Sequence, residues 1–313
     1  MKEELIISGR MNQFIDPTLH IWHWHIPLYL FLGGLSAGIL FFAAYFTITG
    51  KEDKYPTAVK LAPFLTPVLL SVGLLALLLD LKHKTYFWRL YTTIRIESPM
   101  SWGAWTLMVV TPLSFVWSAL NIKTLFPNWD WKYKFLYDLE AFFRKNIKPI
   151  AWILLIFSLI LGVYTGILFS AFNARPLWNT SILGPLFLTS GLSTGAAAIV
   201  LLSRNHAERL TFARIDLMLI GIEVFLIIHM FMGFLASTQV HIEAAELFLG
   251  GPYTTPFWLF VFTLGLAVPA VLEMLELKKF HLPYWIAPAL VIAGGLIFRF
   301  LMANAGQASR WLY

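Results

Sequence analysis

The chain of 313 residues contains no cysteine. Without thiolates it cannot hold a conventional cysteine-ligated iron–sulfur cluster. It can form no disulfide either, so cysteine usage says nothing about its redox compartment. Charge is also scarce, at 13% of residues against 58% hydrophobic, which excludes an ordinary soluble globular domain. The apolar runs are about 20 residues long and continuous, the length that crosses a bilayer core as a helix. They do not alternate with period two, which argues against a transmembrane β-barrel. Met1 to His20 has no apolar signal-peptide core, so the first span is expected to direct insertion itself. The net charge of +6 reads as membrane topology rather than nucleic-acid binding, and no phosphate-binding loop or hydrolytic triad is visible.

The expected fold is an all-α integral membrane protein with eight spans, at roughly 27–49, 60–81, 101–121, 148–171, 181–203, 213–236, 255–277 and 283–304. One stretch occurs twice. FLGGLSAGIL at Phe31–Leu40 returns as FLTSGLSTGAA at Phe187–Ala197, and the aligned cores Gly34-Leu-Ser-Ala-Gly38 and Gly191-Leu-Ser-Thr-Gly195 lie 157 residues apart. Small residues four apart share a helix face and let two backbones approach in lipid. Two copies at the half-length, each opening a set of four spans, predict a duplication: one four-helix bundle in residues 1–171 and a second in 172–313. Four spans per half is an even number, so both halves enter the membrane in the same direction and the repeat is parallel.

The longest connection, Asn121 to Ile147, mixes Trp129, Trp131, Phe135, Phe142 and Phe143 with Lys132, Lys134, Arg144 and Lys145. It is expected to lie along the membrane surface. Lysine and arginine are concentrated in the first, third, fifth and seventh connections, while the second, with Lys82, Lys84, Arg89 and Arg95, dissents. The positive-inside rule then places both termini outside, which in a bacterial inner membrane means the periplasm.

Ionisable side chains are expensive in lipid, so each one in or beside a span marks a place for chemistry or for a buried ion pair. Asp80 closes the second span. Glu223 and His229 lie within the sixth, Glu273 and Glu276 near the end of the seventh, and Arg299 in the eighth. His23 and His25 stand at the entrance of the first span between Trp22 and Trp24, and Tyr164 lies between Gly162 and Gly166 in the fourth. Glu223 and Arg299 have no short route to water and require a partner or a wet cavity. Glu273 and Glu276 are expected to reach the interface beside Lys278 and Lys279. Asp80 reads equally as a helix-end carboxylate facing Lys82 or Lys84, and the two histidines equally as interfacial anchors.

Haem does not fit. A bis-histidine site needs histidines facing one another at depth, whereas only His229 is well inside a span and His20, His23 and His25 cluster at one helix entrance. A lipid-soluble quinone does fit. It needs an apolar slot, donors for two oxygens and a proton route. His23 or His25 and Tyr164 supply donors, Asp80 takes a proton, and Glu223 and Arg299 extend a polar chain inward. The cluster forms only if the first, second and fourth spans pack together.

Several runs resemble the NrfD-like family, the membrane subunits of polysulfide reductase and related molybdopterin oxidoreductases. They are Trp22-His-Trp-His-Ile-Pro-Leu-Tyr before FLGGLSAG, Asp80-Leu-Lys, and Ser98-Pro-Met-Ser-Trp-Gly-Ala-Trp105. Gly162-Val-Tyr-Thr-Gly-Ile-Leu-Phe-Ser170, Arg175-Pro-Leu-Trp-Asn-Thr180 and SGLSTGAA complete a resemblance that covers essentially the whole chain. It implies eight helices in two four-helix bundles, without haem, metal or iron–sulfur cluster, and menaquinone or ubiquinone bound near the periplasmic surface. It implies partners: a four-cluster iron–sulfur subunit and a molybdopterin catalytic subunit, with loops 2–3, 4–5 and 6–7 as the docking face. The direction expected from polysulfide reductase is quinol oxidation, the chain alone being non-catalytic toward the terminal substrate. Residue by residue, the resemblance carries a quinone-site role to Tyr164 and to His23 or His25, and further roles to Asp80, Arg299 and Glu223. The alternatives are a proton-translocating or transporter module with no redox reaction of its own, and a purely structural anchor.

Overall fold

The computed structural model describes residues 22–280 and 283–310. The tail with Lys2, Arg10 and His20, which carries the expectations about insertion and the side of the N-terminus, lies outside them. The protein is all-α, with eight membrane-spanning helices and no strand among the described residues. The spans are α1 (His25–Ile48), α2 (Thr57–Asp80), α3 (Pro99–Leu120), α4 (Ile147–Ser170), α5 (Leu183–Leu202), α6 (His206–Leu235), α7 (Pro256–Leu277) and α8 (Ile286–Ala308).

Most boundaries fall within a few residues of expectation, but α6 starts at His206 instead of near 213. The cause is a polar cap that hydropathy does not register. Asn205 Oδ1 accepts the Ala207 N–H at 2.9 Å, so a charged first turn is already helical before the apolar run begins. Glu208 in that turn is buried and reaches across to the start of α2. Its carboxylate accepts the backbone N–H of Thr57 at 3.4 Å and of Ala58 at 3.0 Å, while Ser203 Oγ donates to it at 3.0 Å. A carboxylate placed there satisfies orphan helix donors and meets the positive end of the helix dipole. Glu208→Ala is expected to cost about 2 kcal/mol through these charge-assisted bonds. The loss should lower the thermal unfolding midpoint of the detergent-solubilised protein, with Glu208→Gln in between. An unchanged midpoint would show that the cap carries no stability.

α1 packs against α2, α4, α5 and α8, and α5 against α1, α4, α6 and α8. α3 lies against α2 and α4, and α7 against α6 and α8. The two central helices are therefore α1 and α5, which carry the repeated stretch, and the two copies meet where they cross. A Cβ on Gly38 would stand 2.2 Å from Gly191 O, one on Gly195 2.6 Å from Gly38 C, and one on Gly191 2.8 Å from Gly34 O. The backbones touch directly, as small-residue faces allow in lipid.

The connection between α3 and α4 contains the amphipathic helix Lys134–Lys145, which has no buried residue. It is pinned by Glu140, which accepts from Trp131 Nε1 at 2.7 Å and Arg144 Nε at 2.8 Å, while Arg144 Nη2 donates to Leu120 O. Partial burial pushes the Glu140 carboxyl up, but the Arg144 and Trp131 hydrogen bonds outweigh it and leave the group below the ordinary carboxylate range.

Candidate functional site

The first four spans converge at the end of the molecule where α1 begins and α2 ends. His25 opens α1, and Tyr29 follows one turn later on the same face. Asp80 is the last residue of α2, and Tyr164 lies in the last third of α4. Tyr91 comes from the short helix Arg89–Thr92 in the connection between α2 and α3. Tyr29, Asp80, Tyr91 and Tyr164 line one cavity of about 120 Å³, walled otherwise by Trp22, Ile26 and apolar side chains of α2, α3 and α4.

His25 Nδ1 stands 3.7 Å from Asp80 Oδ1. His25 Nδ1 and Tyr29 Oη are buried and have no hydrogen-bond partner. The three phenols of Tyr29, Tyr91 and Tyr164 lie close enough to interact. Burial pushes the Tyr91 phenol up, which keeps it a neutral donor. Buried polar atoms without partners are rare in folded proteins. One of them, Tyr29 Oη, in a small apolar cavity with a carboxylate and further phenols fits a flat ligand that brings its own oxygens, and the other, His25 Nδ1, stands behind that carboxylate.

Close backbone contacts position these groups. A Cβ on Gly103 of α3 would meet the Tyr164 ring at 2.0 Å, so the absence of a side chain there gives the phenol its seat. A Cβ on Gly166, two residues past Tyr164, would meet Leu183 O at 2.1 Å, so α4 lies directly on the start of α5. The Arg175-Pro-Leu-Trp run clamps the same region. Arg175 Nη1 donates to Gln307 O at 3.0 Å and Ser309 O at 2.8 Å, and Trp178 Nε1 donates to Met302 O at 2.8 Å. Gln307 exchanges hydrogen bonds with the Trp22 backbone at 2.8 and 3.0 Å. Trp22, Phe169 and Trp178 stack with centroids 4.6 to 5.4 Å apart. This run thus fixes Trp22, a wall of the cavity, rather than lining the cavity itself.

Of the residues singled out from sequence, the structure brings His25, Asp80 and Tyr164 together. His23 is exposed and does not line the cavity. His229 is exposed on α6 and pairs its Nδ1 with Phe225 O at 2.9 Å. Glu223 and Arg299 are buried together in the other half of the chain. Arg299 lies over the Phe187 ring at 3.9 Å and donates from Nη2 to Phe187 O at 2.9 Å, with Nε and Nη1 unpartnered. Glu223 faces it closely enough for electrostatic attraction.

Two residues extend this second cluster beyond what the sequence indicated. Asp216 is fully buried, and its Oδ1 accepts from Ser193 Oγ at 2.5 Å. Glu273, expected at the interface, is instead buried beside Asp216, and only Glu276 is partly exposed. Spacing could have revealed Asp216: it lies two helical turns before Glu223 on the same face, about 10 Å along the axis. Tyr29 was likewise marked by its place four residues after His25. Tyr91 carries no such signal, because a connecting segment sets its position.

Among the described residues no group of three or more His, Cys, Asp or Glu side chains is placed to hold a metal. A family model described as "Polysulphide reductase, NrfD" matches residues 12–309. The sequence is 30% identical over 307 residues to a polysulfide reductase chain of Wolinella succinogenes, covering 92% of this protein and 94% of that one. It is 29% identical over 304 residues to protein NrfD of Escherichia coli K12, covering 92% and 95%. Its identity to a protein NrfD homolog of Haemophilus influenzae is 26% over 310 residues, covering 94% and 96%.

Proposed function

The chain belongs to the NrfD polysulphide-reductase family, and from that premise we propose that it is the quinol-oxidising membrane subunit of a respiratory oxidoreductase complex. The carrying observation is the convergence of Asp80, the unpartnered Tyr29 phenol and Tyr164 on one apolar cavity, with His25 3.7 Å behind Asp80. A bound menaquinol or ubiquinol supplies two electrons and two protons. Tyr164 and Tyr29 hold the ring oxygens by hydrogen bonds. Asp80 accepts the two protons one after the other, and His25, 3.7 Å behind it, passes each toward the end of the molecule where α1 begins. That end is the periplasmic face, both termini lie there, and the protein sits in the bacterial inner membrane. Electrons leave to a four-cluster iron–sulfur subunit docked on the connections α2–α3, α4–α5 and α6–α7, and from it to a molybdopterin catalytic subunit. The architecture is a duplication, residues 1–171 and 172–313 each forming a four-helix bundle. Supporting it, the neighbours α1–α2–α3–α4 and α5–α6–α7–α8 each close into a ring, and the repeated glycines lie where the rings abut.

The test separates quinol chemistry from the rest of the complex. In membranes holding the full complex, Tyr164→Phe and Asp80→Asn are expected to lower quinol-dependent turnover about a hundredfold. Reduction of the terminal substrate with an artificial dye should remain unchanged. Unaltered quinol turnover in both variants would refute the site, and equal loss of both activities would mark a folding defect.

A second reading is favoured by Asp216, Glu223, Glu273 and Arg299, all buried in α6, α7 and α8. Such a ladder suits a module that moves protons without its own redox reaction. The purified protein in liposomes would then conduct protons in the absence of any quinone.

A further inference from the structure

The cavity between the four spans is too small for the ligand assigned to it. At about 120 Å³ it falls well below the roughly 300–1,000 Å³ of ordinary ligand pockets. Directly beside it, on the lipid-facing side of α3 and α4, runs an open apolar groove of about 470 Å³. Its walls are Trp102 at the start of α3 and Leu159, Ile160, Val163 and Ile167 of α4, with Glu97 at its mouth. Tyr164 lines both spaces, so its ring is the wall they share. That wall stands against the Gly103 backbone, where any side chain would displace it.

Resting on the quinol-oxidising reading, we propose that this groove is the entry path and berth of the polyprenyl tail of the quinol. The head enters from the bilayer between α3 and α4, passes Tyr164 and lodges against Asp80, while the tail stays along Leu159 and Ile160. A hydrocarbon tail suits walls whose side chains are apolar except at the mouth. A phospholipid acyl group would share that chemistry, but only a molecule with an oxygen-bearing ring at its end also satisfies Tyr29 Oη and reaches Asp80 across the shared wall. Trp102, anchored by a 2.7 Å hydrogen bond from Nε1 to Ile96 O, sets the level at which the groove opens toward the interface.

The experiment is photolabelling of membranes that contain the full complex. The probe is a long-tailed quinone bearing a diazirine on its second prenyl unit. Adducts are expected on residues 97–102 and 159–167, displaced by unlabelled long-tailed quinone. Ile160→Trp, and the milder Leu159→Phe should the first fail to fold, should lower this labelling about tenfold. The same variants should raise KM for a long-tailed quinol several-fold more than for a tail-less quinol. Adducts on another lipid face, for instance around Ile222 of α6, would overturn the berth. So would labelling of the groove by a diazirine phospholipid that quinone does not displace. Wild-type turnover with saturable labelling elsewhere refutes the berth alone. A wild-type complex that turns over neither quinol and shows no saturable labelling refutes the quinone reading itself, and the berth with it.

Discussion

Gly38→Ala is expected to lower the unfolding midpoint sharply, although alanine is the better helix former by about 1 kcal/mol. The added methyl would stand 2.2 Å from Gly191 O and 3.1 Å from Gly195 Cα, both backbone atoms that no rotamer change can move. α1 and α5 would have to separate along the whole crossing. Overpacking of this kind costs about 3 kcal/mol, from a total that for most proteins is about 5–15 kcal/mol. Gly195→Ala meets Gly38 C at 2.6 Å and should behave alike. Gly221→Ala is the control, because nothing lies within 4 Å of its added methyl and only the helix-propensity gain remains. Monodisperse yield and the unfolding midpoint in mild detergent measure all three. Equal midpoints for Gly38→Ala and Gly221→Ala would show that the crossing is not a close backbone contact in the membrane.

The crossing also links fold to site. α1 carries His25 and Tyr29 on its first two turns and Gly34 and Gly38 on the next two. Moving α1 away from α5 would therefore shift both unpartnered polar atoms relative to Asp80 and Tyr164. A partial phenotype of Gly38→Ala should accordingly show weakened quinol-dependent turnover before the protein is lost.

The helical spans were legible because a bilayer permits little else: about 20 apolar residues in a continuous run can only be a helix there. The small-residue faces of α1 and α5 were legible because glycine leaves a visible spacing, and the structure sets the two stretches against each other. The start of α6 was not, since a capped and buried Glu208 reads in sequence as an ordinary loop charge. Within the candidate site, His25, Asp80 and Tyr164 stood out by being polar among apolar neighbours. His23, two residues from His25, shares that signal but lies exposed ahead of the helix, while His25 opens α1 and stands 3.7 Å from Asp80. Glu273 failed in the opposite direction. Proximity to Lys278 and Lys279 suggested the interface, but rotation about α7 turns it to Asp216. Sequence gives depth in the membrane well and azimuth poorly, and azimuth decides which polar groups meet.

Azimuth is also what pairs Glu223 with Arg299, and the pair offers a decisive double-variant cycle. Arg299→Met alone leaves Glu223 buried without its counter-charge, and Glu223→Gln alone does the same to Arg299. Either should cost about 1–3 kcal/mol, the usual result of leaving a buried polar group without its compensating partner. The double variant removes both charges and should regain most of that stability, because a neutral pair of similar volume carries no desolvation penalty. Stability alone therefore cannot distinguish a structural pair from one that carries protons. The distinction lies in coupling. With the complex reconstituted in vesicles around a pH-sensitive dye, the double variant is expected to keep its quinol-dependent electron transfer and to lose any accompanying change in internal pH. On the proposed reading, electron transfer depends on the cavity at Asp80 and Tyr164, which the substitutions leave intact. On the second reading, proton movement would run through Asp216, Glu223 and Arg299, and the double variant interrupts that route. If the double variant recovers both its midpoint and a wild-type pH response, the pair does no more than balance charge in the interior.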